Sequence, residues 1–436
     1  MGAIFVIIAS TILINNMCTS TKNDLPVLDF EAAALRLKNV ASRTPLQFSR
    51  NLSRQYKCSV YLKREDLQIV RSYKIRGAYN MISSLSEESR TKGVVCASAG
   101  NHAQGFAYSC KQLGIRGVVF MPVITPKQKI TQTRMFGDDM IEIILIGDTF
   151  DDCAFAAKKY TQENNMIFIP PFEDYKIIEG QGTVAKEILE ENIPGIDYLF
   201  VPVGGGGLAA GIGLYFNKYS PDTKIIGVEP LGAPSMHKSL IKGSPVTLEK
   251  IDRFVDGAAV KRVGDITFSI CKEILEKMVL IPEGKVCTTI LKLYNEDAIV
   301  LEPAGALSIA ALDDYKKEIE GKTVVCIVSG SNNDIDRIPE IKELSLQYEG
   351  LKRYFLISFA QRPGALKDFV NDVLGKNDDI TRFEYIHKTN KERGPALVGI
   401  ELLHKSDHKG LIERMDKNSI DYLEINKDDK IFGLIV

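Results

Sequence analysis

Several absences narrow the function of this chain before any motif is read. Its 55 basic and 56 acidic residues leave a net charge of -1, so no large electrostatic bias draws it to nucleic acid or to an acidic membrane. No basic–aromatic stripe is present either. The eight cysteines (Cys18, Cys58, Cys96, Cys110, Cys153, Cys271, Cys287 and Cys326) form no CxxC pair and lie mostly among apolar residues. They read as reduced thiols of an intracellular, cytoplasmic protein, not as a disulfide framework. The apolar stretch within Met1–Met17 is too short and too interrupted to predict a spanning helix, and it lacks the basic flank of a secretory signal. Three readings of this leader (1–24) stay open: an over-extended start with Met17 as initiator, a helix packed on the body, or a signal or anchor. The GxxxxGK[ST] pattern is missing too, which counts against nucleotide binding at a glycine turn.

What is present is a set of ordered motifs in a chain of 436 residues, long enough for two or three domains. Ser72-Tyr73-Lys74-Ile75-Arg76-Gly77-Ala78 follows an alternating segment and opens a helical pattern. A lysine at such a place is either an exposed cation or an amine held against a carbonyl cofactor. Ser98-Ala99-Gly100-Asn101-His102 follows the apolar run Val94–Ala97, and its small residues let a turn approach a ligand closely. Val203-Gly204-Gly205-Gly206-Gly207-Leu208 is a strand running through four glycines into a helix, which can aim backbone N–H groups at a phosphate. Val324–Val328 then ends in Ser329-Gly330-Ser331-Asn332, the kind of strand end where open α/β sheets bind ligands.

From about Val27 to Asn333 these motifs, in this order, resemble the threonine dehydratase family of pyridoxal-phosphate enzymes, whose fold is like tryptophan synthase β. The resemblance implies an α/β catalytic body of two parts, with parallel or mixed sheets covered by helices, and pyridoxal 5'-phosphate as cofactor. It implies that Lys74 holds the cofactor covalently and then takes the substrate Cα proton. Gly204, Gly205, Gly206, Gly207 and Leu208 would cradle the phosphate by backbone N–H, and Asn101 would bond the ring hydroxyl. Ser329 would stand at the ring nitrogen, with Ser331 as the alternative. Ser98, Ala99, Gly100 and His102 would form the loop that receives the substrate carboxylate, with His102 shaping the loop more than moving protons.

Three departures qualify the resemblance. Tyr73 stands where the family usually has phenylalanine, and a buried extra hydroxyl needs a partner. Ala99 replaces the serine with which racemase-like relatives act on the opposite face of the substrate. Relatives that bind a divalent cation pair a glutamate with an aspartate; here Glu229 fits the first position but Ser235 occupies the second. No metal is assigned, and Glu229 is only a weak candidate.

Periodicity predicts helices at Asp29–Leu37 and from Lys74 through Leu85, and a βαβα series from about 91 to 170 that forms a small inserted subdomain (about 90–170). It predicts further helices at Val184–Glu190, capped by Ile177–Thr183, at Asp265–Met278, and from Pro303 to about Ile319, with a loop-rich span at Pro230–Pro245. A catalytic domain of 25–345 then leads through a polar, mobile linker (about Asn332–Gly350) to a domain at 346–436. There, strands at Leu351–Phe359, Ile380–His387, Ala396–Leu403 and Tyr422–Ile425 alternate with two helices in the order βαββαβ, a ferredoxin-like α+β pattern. Its Arg362-Pro363-Gly364-Ala365-Leu366 turn resembles the ACT-like regulatory module of biosynthetic threonine dehydratases, of which there is one here.

The expected activity is therefore deamination of L-threonine to 2-oxobutanoate and ammonia, feeding isoleucine synthesis. Isoleucine is the expected effector, with valine as a second candidate, in a homotetramer or homodimer that binds neither nucleic acid nor membrane. Two other readings stand beside it: a serine-preferring dehydratase or racemase, and a cofactor-binding regulatory protein without catalysis.

Overall fold

The computed structural model describes residues 25–386, 391–426 and 432. The apolar leader, with Met17, and His387 at the end of one expected strand lie outside the described residues. Fourteen strands build three sheets among the described residues. In chain order they are β1 (Leu46–Phe48), β2 (Ser59–Arg64), β3 (Val94–Ala97), β4 (Gly117–Met121), β5 (Ile141–Leu145), β6 (Ile167–Phe168) and β7 (Tyr198–Pro202), followed by β8 (Lys224–Pro230), β9 (Lys277–Ile281), β10 (Thr323–Val328), β11 (Lys352–Ala360), β12 (Asp379–Tyr385), β13 (Arg393–Glu401) and β14 (Asp421–Glu424).

The large sheet has the order β1-β2-β10-β7-β8-β9 and is parallel except for β1. Along β10, Val324, Cys326 and Val328 enter one apolar core while Val325 and Ile327 enter another on the opposite face. Burial on both faces explains why these strands read as continuous apolar runs rather than alternating ones. The small sheet, β5-β4-β3-β6, is fully parallel. The third sheet, β12-β13-β11-β14, is antiparallel and carries two helices, Ala365–Asp372 and Asp407–Lys417, in the expected βαββαβ order. No helix among the described residues is long and apolar enough to cross a membrane.

Five expectations are corrected. The helix expected at Val184–Glu190 starts at Tyr175, capped by the Asp174 side chain, so Ile177–Thr183 lies inside it and not at its cap. Its glycines serve packing: a Cβ at Gly180 would stand 2.3 Å from Arg76 O, and one at Gly182 would stand 2.7 Å from Gly211 O. Pro230–Pro245 contains a helix, Ser235–Lys242. The Asp265–Met278 helix stops at Ile274, and its apolar continuation is the edge strand β9, a case where a short apolar run does not reveal its own period. The supposed mobile linker holds a helix, Ile338–Glu349, with proline in its first turn and Gly350 as a left-handed cap. Local patterns also missed β1 and two short helices, Arg50–Tyr56 and Glu87–Lys92, and the expected helix toward Ile319 gives way after Ala310 to a 3-10 turn.

The helix that begins at Lys74 (Lys74–Ser83) is anchored by a buried ionic cluster. Arg76, 1% exposed, bonds Glu65 through Nε and Nη2 (2.7 and 2.8 Å) and Glu187 through Nη1 and Nη2 (2.7 and 2.9 Å). Lys63, at the end of β2, pairs with Glu187 and donates to Thr44 O, and Thr44 Oγ1 donates to Glu65. Burial opposes ionisation of Glu65, but the Arg76 charge wins and holds its carboxyl below the ordinary range. Replacing Arg76 leaves fully buried Glu65 without its charge partner, while Glu187 keeps Lys63. Arg76→Leu should therefore lower stability at pH 7 by about 3–5 kcal/mol, read from the urea midpoint; an unchanged midpoint would show that water reaches the cluster.

Candidate active site

Three loops at the carboxyl ends of β3, β7 and β10 converge with the start of the Lys74 helix, the usual ligand position in open parallel sheets. Arg71–Tyr73 crosses the end of β10: Tyr73 N donates to Ser329 O (3.2 Å), Ser331 N donates to Arg71 O (2.9 Å), and Ser72 bridges Gly330. These bonds place Lys74 beside the end of β10. Its Nζ donates to Pro171 O (2.9 Å), and burial lowers the amine to about 8, opposed by the nearby Glu302 carboxylate. Near neutral pH about a tenth of such an amine is uncharged, against about one in three thousand for an ordinary lysine. The Tyr73 ring lies 5.2 Å from Nζ and packs against the core that includes Val203 and Leu208.

The glycine loop faces the same region. Gln181 Nε2 shares the acceptor Pro171 O with Lys74 (3.4 Å), while a Cβ at Gly207 would stand 2.6 Å from Gln181 Oε1. Gly206 has φ +93 and caps the helix Gly207–Tyr219, so a residue with a side chain would be strained there. A Cβ at Gly205 would strike the Phe172 ring at 2.1 Å. The loop carbonyls turn inward: Gly205 O accepts from Thr267 Oγ1 (2.6 Å) and Gly206 O from Cys271 Sγ (3.7 Å). The N–H groups of the first helical turn have no partner within the helix and carry its positive end, so the loop is chemically suited to a phosphate. Leu208, 2% exposed, sits in the core and has only its backbone N–H to offer.

Asn101 opens the helix Asn101–Leu113. Its Nδ2 donates to Glu302 Oε1 (2.6 Å), and its Oδ1 accepts from Asn332 Nδ2 (2.6 Å). Glu302 is 4% exposed, and burial with the Asp256 charge behind it pushes its carboxyl up to about 7, against the pull of the Asn101 bond. Ser98 Oγ accepts from Gly100 N (3.3 Å), and beyond Gly100 a Cβ would meet open space. His102 is buried with Nε2 on Ile169 O (2.9 Å); burial and the Lys74 charge lower it to about 3, so it is neutral near neutral pH. Ser329 is 3% exposed. The Ser331 hydroxyl is committed to Asp66 O (3.1 Å).

Glu229 lies elsewhere in function. Its two oxygens accept from Met236 N (2.7 Å) and His237 N (2.8 Å), so it caps the helix Ser235–Lys242. Among the described residues no group of three or more His, Cys, Asp or Glu side chains could hold a metal.

Glu302, Asn332 and Gln181 were not singled out as site residues. Glu302 directly precedes the helix expected from Pro303, but its partner Asn101 is 201 residues away, a pairing that no local pattern contains.

Two family models match the chain in tandem. Residues 37–330 match that of pyridoxal-phosphate dependent enzymes, and residues 343–435 match the C-terminal regulatory domain of threonine dehydratase. A biosynthetic L-threonine dehydratase of Halalkalibacterium halodurans is 57% identical over 412 residues, 94% of this chain and 99% of that one. The processed form of threonine deaminase isoform 2 from Solanum lycopersicum superposes with TM-score 0.69 at 39% identity, covering 74% of this chain and 97% of that one. A serine racemase from Dictyostelium discoideum superposes with TM-score 0.64 at 30% identity, over 70% and 98% of the two chains.

Modification of Lys74 by an amine reagent in the cofactor-free protein, followed by mass spectrometry across pH, should titrate with a midpoint near 8. Glu302→Gln should move that midpoint down, because the carboxylate raises the Lys74 value. A midpoint above 10 would mean that the amine is hydrated.

Proposed function

The chain belongs to the family of pyridoxal-phosphate-dependent enzymes, and on that premise we infer that it deaminates L-threonine to 2-oxobutanoate and ammonia, the first step of isoleucine synthesis. The observation that carries this reading is the burial-lowered amine of Lys74, adjoining a glycine loop that has no room for a side chain and opens a helix N-terminus. These residues fit the cofactor, which when bound supplies an electron sink for the carbanion at the substrate Cα.

Lys74 would hold the cofactor through its Nζ, and that same amine, titrating near 8, is suited to take the Cα proton. Gly204–Leu208 bind the phosphate by backbone N–H. Asn101, with one Nδ2 hydrogen committed to Glu302, offers the other to the ring oxygen. Ser329 is the partner of the ring nitrogen; the bond of Ser331 to Asp66 O supports this choice between the two serines. A neutral hydroxyl there withdraws less charge than a carboxylate partner, which suits loss of the β-hydroxyl over transamination. Ser98, Ala99 and Gly100 receive the substrate carboxylate, and neutral His102 holds the loop shape through Ile169 O. Ala99 has no proton to offer the opposite face of the substrate, which favours elimination over racemisation.

The catalytic part comprises 25–345, with the small subdomain at about 90–170, and 346–436 is the ACT-like regulatory part. Isoleucine is its effector, with valine as a second candidate, in a homotetramer or homodimer in the cytoplasm. The helix Ile338–Glu349 supports this coupling. At its start Arg337 donates to Phe254 O (2.7 Å), and further along Glu343 accepts from Tyr354 Oη of β11 (2.8 Å).

2-Oxo acid formation from L-threonine and L-serine, each with and without isoleucine, tests the reading. Threonine should be preferred, isoleucine should depress turnover, and Lys74→Ala should lower kcat by at least about a thousandfold. Turnover indifferent to isoleucine and valine would leave the chemistry standing and remove the effector assignment.

A further inference from the structure

We propose that Glu302 is a positioning residue which, together with Asn332, fixes the orientation of the Asn101 side-chain amide, so that an N–H and not the carbonyl faces the cofactor. The proposal rests on the reading that Asn101 meets the cofactor ring oxygen.

The two ends of an asparagine amide are nearly equal in shape, and only its neighbours decide which way it turns. Here both neighbours agree. When ionised, Glu302 can only accept, and its Oε1 stands 2.6 Å from Asn101 Nδ2. On the other side Asn332 Nδ2 donates to Asn101 Oδ1 at 2.6 Å and also to Val70 O at 3.0 Å. Because a backbone carbonyl cannot donate, Val70 sets Asn332, and Asn332 in turn sets Asn101. Turning the Asn101 amide would place its oxygen against the carboxylate and its N–H against the Asn332 N–H, costing both bonds at once. In the observed orientation the second Nδ2 hydrogen is left over as a donor.

Glu302 itself is held for this purpose. It is the residue before the helix Pro303–Ala310, and its carboxyl makes no capping bond to that helix. It turns instead toward Asn101, and Gly330 makes room for it: a Cβ there would stand 2.3 Å from Glu302 Oε1. The backbone of Glu302 is fixed to the end of β10 by donation to Gly330 O (3.3 Å).

Titration of the cofactor-free protein with pyridoxal phosphate, followed by the visible band and by the dissociation constant, tests this in Glu302→Leu, Glu302→Gln, Asn101→Ala and the Asn101→Ala/Glu302→Leu double variant. Glu302→Leu should weaken cofactor binding about tenfold and shift the band, the effect of a lost positioning bond. Glu302→Gln keeps an acceptor oxygen and should restore most of both. In the Asn101→Ala background the Glu302 change should add less than about twofold, because there is no amide left to orient. An equal loss in both backgrounds, or a Glu302→Gln variant as impaired as Glu302→Leu, would overturn the proposal. If Asn101→Ala alone leaves affinity and band unchanged, the reading of Asn101 fails, and the proposal with it. Should Glu302→Leu not fold, as judged by near-ultraviolet circular dichroism, Asn332→Leu in the same two backgrounds must give the same pattern or the proposal falls.

Discussion

The Arg76 guanidinium, buried between Glu65 and Glu187, is the interaction on which the geometry of the candidate site depends. It ties three elements that are distant in sequence: the turn after β2, the Lys74 helix, and the helix Tyr175–Glu190. A buried charge of this kind adds little stability compared with a well-packed apolar replacement, but removing one partner alone is expensive. Such a cluster accepts few arrangements, because each guanidinium N–H and each carboxylate oxygen must find its counterpart. Lys74 lies two residues before Arg76, so the cluster that fixes the helix also fixes where the reactive amine starts.

Around this cluster the helices approach closely because glycine removes the side chains between them. Gly105 packs on the backbone of Lys74 and Ile75, where a Cβ would stand 2.9 Å from Ile75 N. Gly180 packs on Arg76 O, and Gly211 packs on Ile178 O, where a Cβ would stand 2.4 Å away. At Gly205 and Gly207 the same economy admits the Phe172 ring and the Gln181 side chain. What a glycine makes room for is therefore known only when its neighbours are known. The Ile177–Thr183 segment, expected as a helix cap, illustrates this: its two glycines lie mid-helix at two crossings.

The body and the C-terminal sheet are joined by an ordered helix. Ile338–Glu349 packs on the helix Glu283–Asp297, where Thr288 and Ser345 share a hydrogen bond of 2.9 Å and a Cβ at Gly284 would stand 2.5 Å from the Tyr348 side chain. At its start Arg337 reaches Asp256, which pairs with Lys129 of the helix Lys127–Gly137 beside the small sheet. Contacts thus run from β11 through this helix to Asp256, whose charge is felt by Glu302.

By itself the sequence determined the kind of protein this is. Strand–turn–helix order, the four glycines at 204–207, the lysine at a helix start and the βαββαβ tail are local features, set by periodicity and by the steric demands of single residues. Most strands and helices were legible for the same reason. What only the tertiary structure decided depends on partners far apart in the chain. It settled that Glu229 caps a helix, that the Ser331 hydroxyl is committed to Asp66, that His102 is held neutral, and that Glu302 faces Asn101. Charge, protonation and hydrogen-bond orientation are properties of surroundings, and those surroundings come into existence only when the chain has closed on itself.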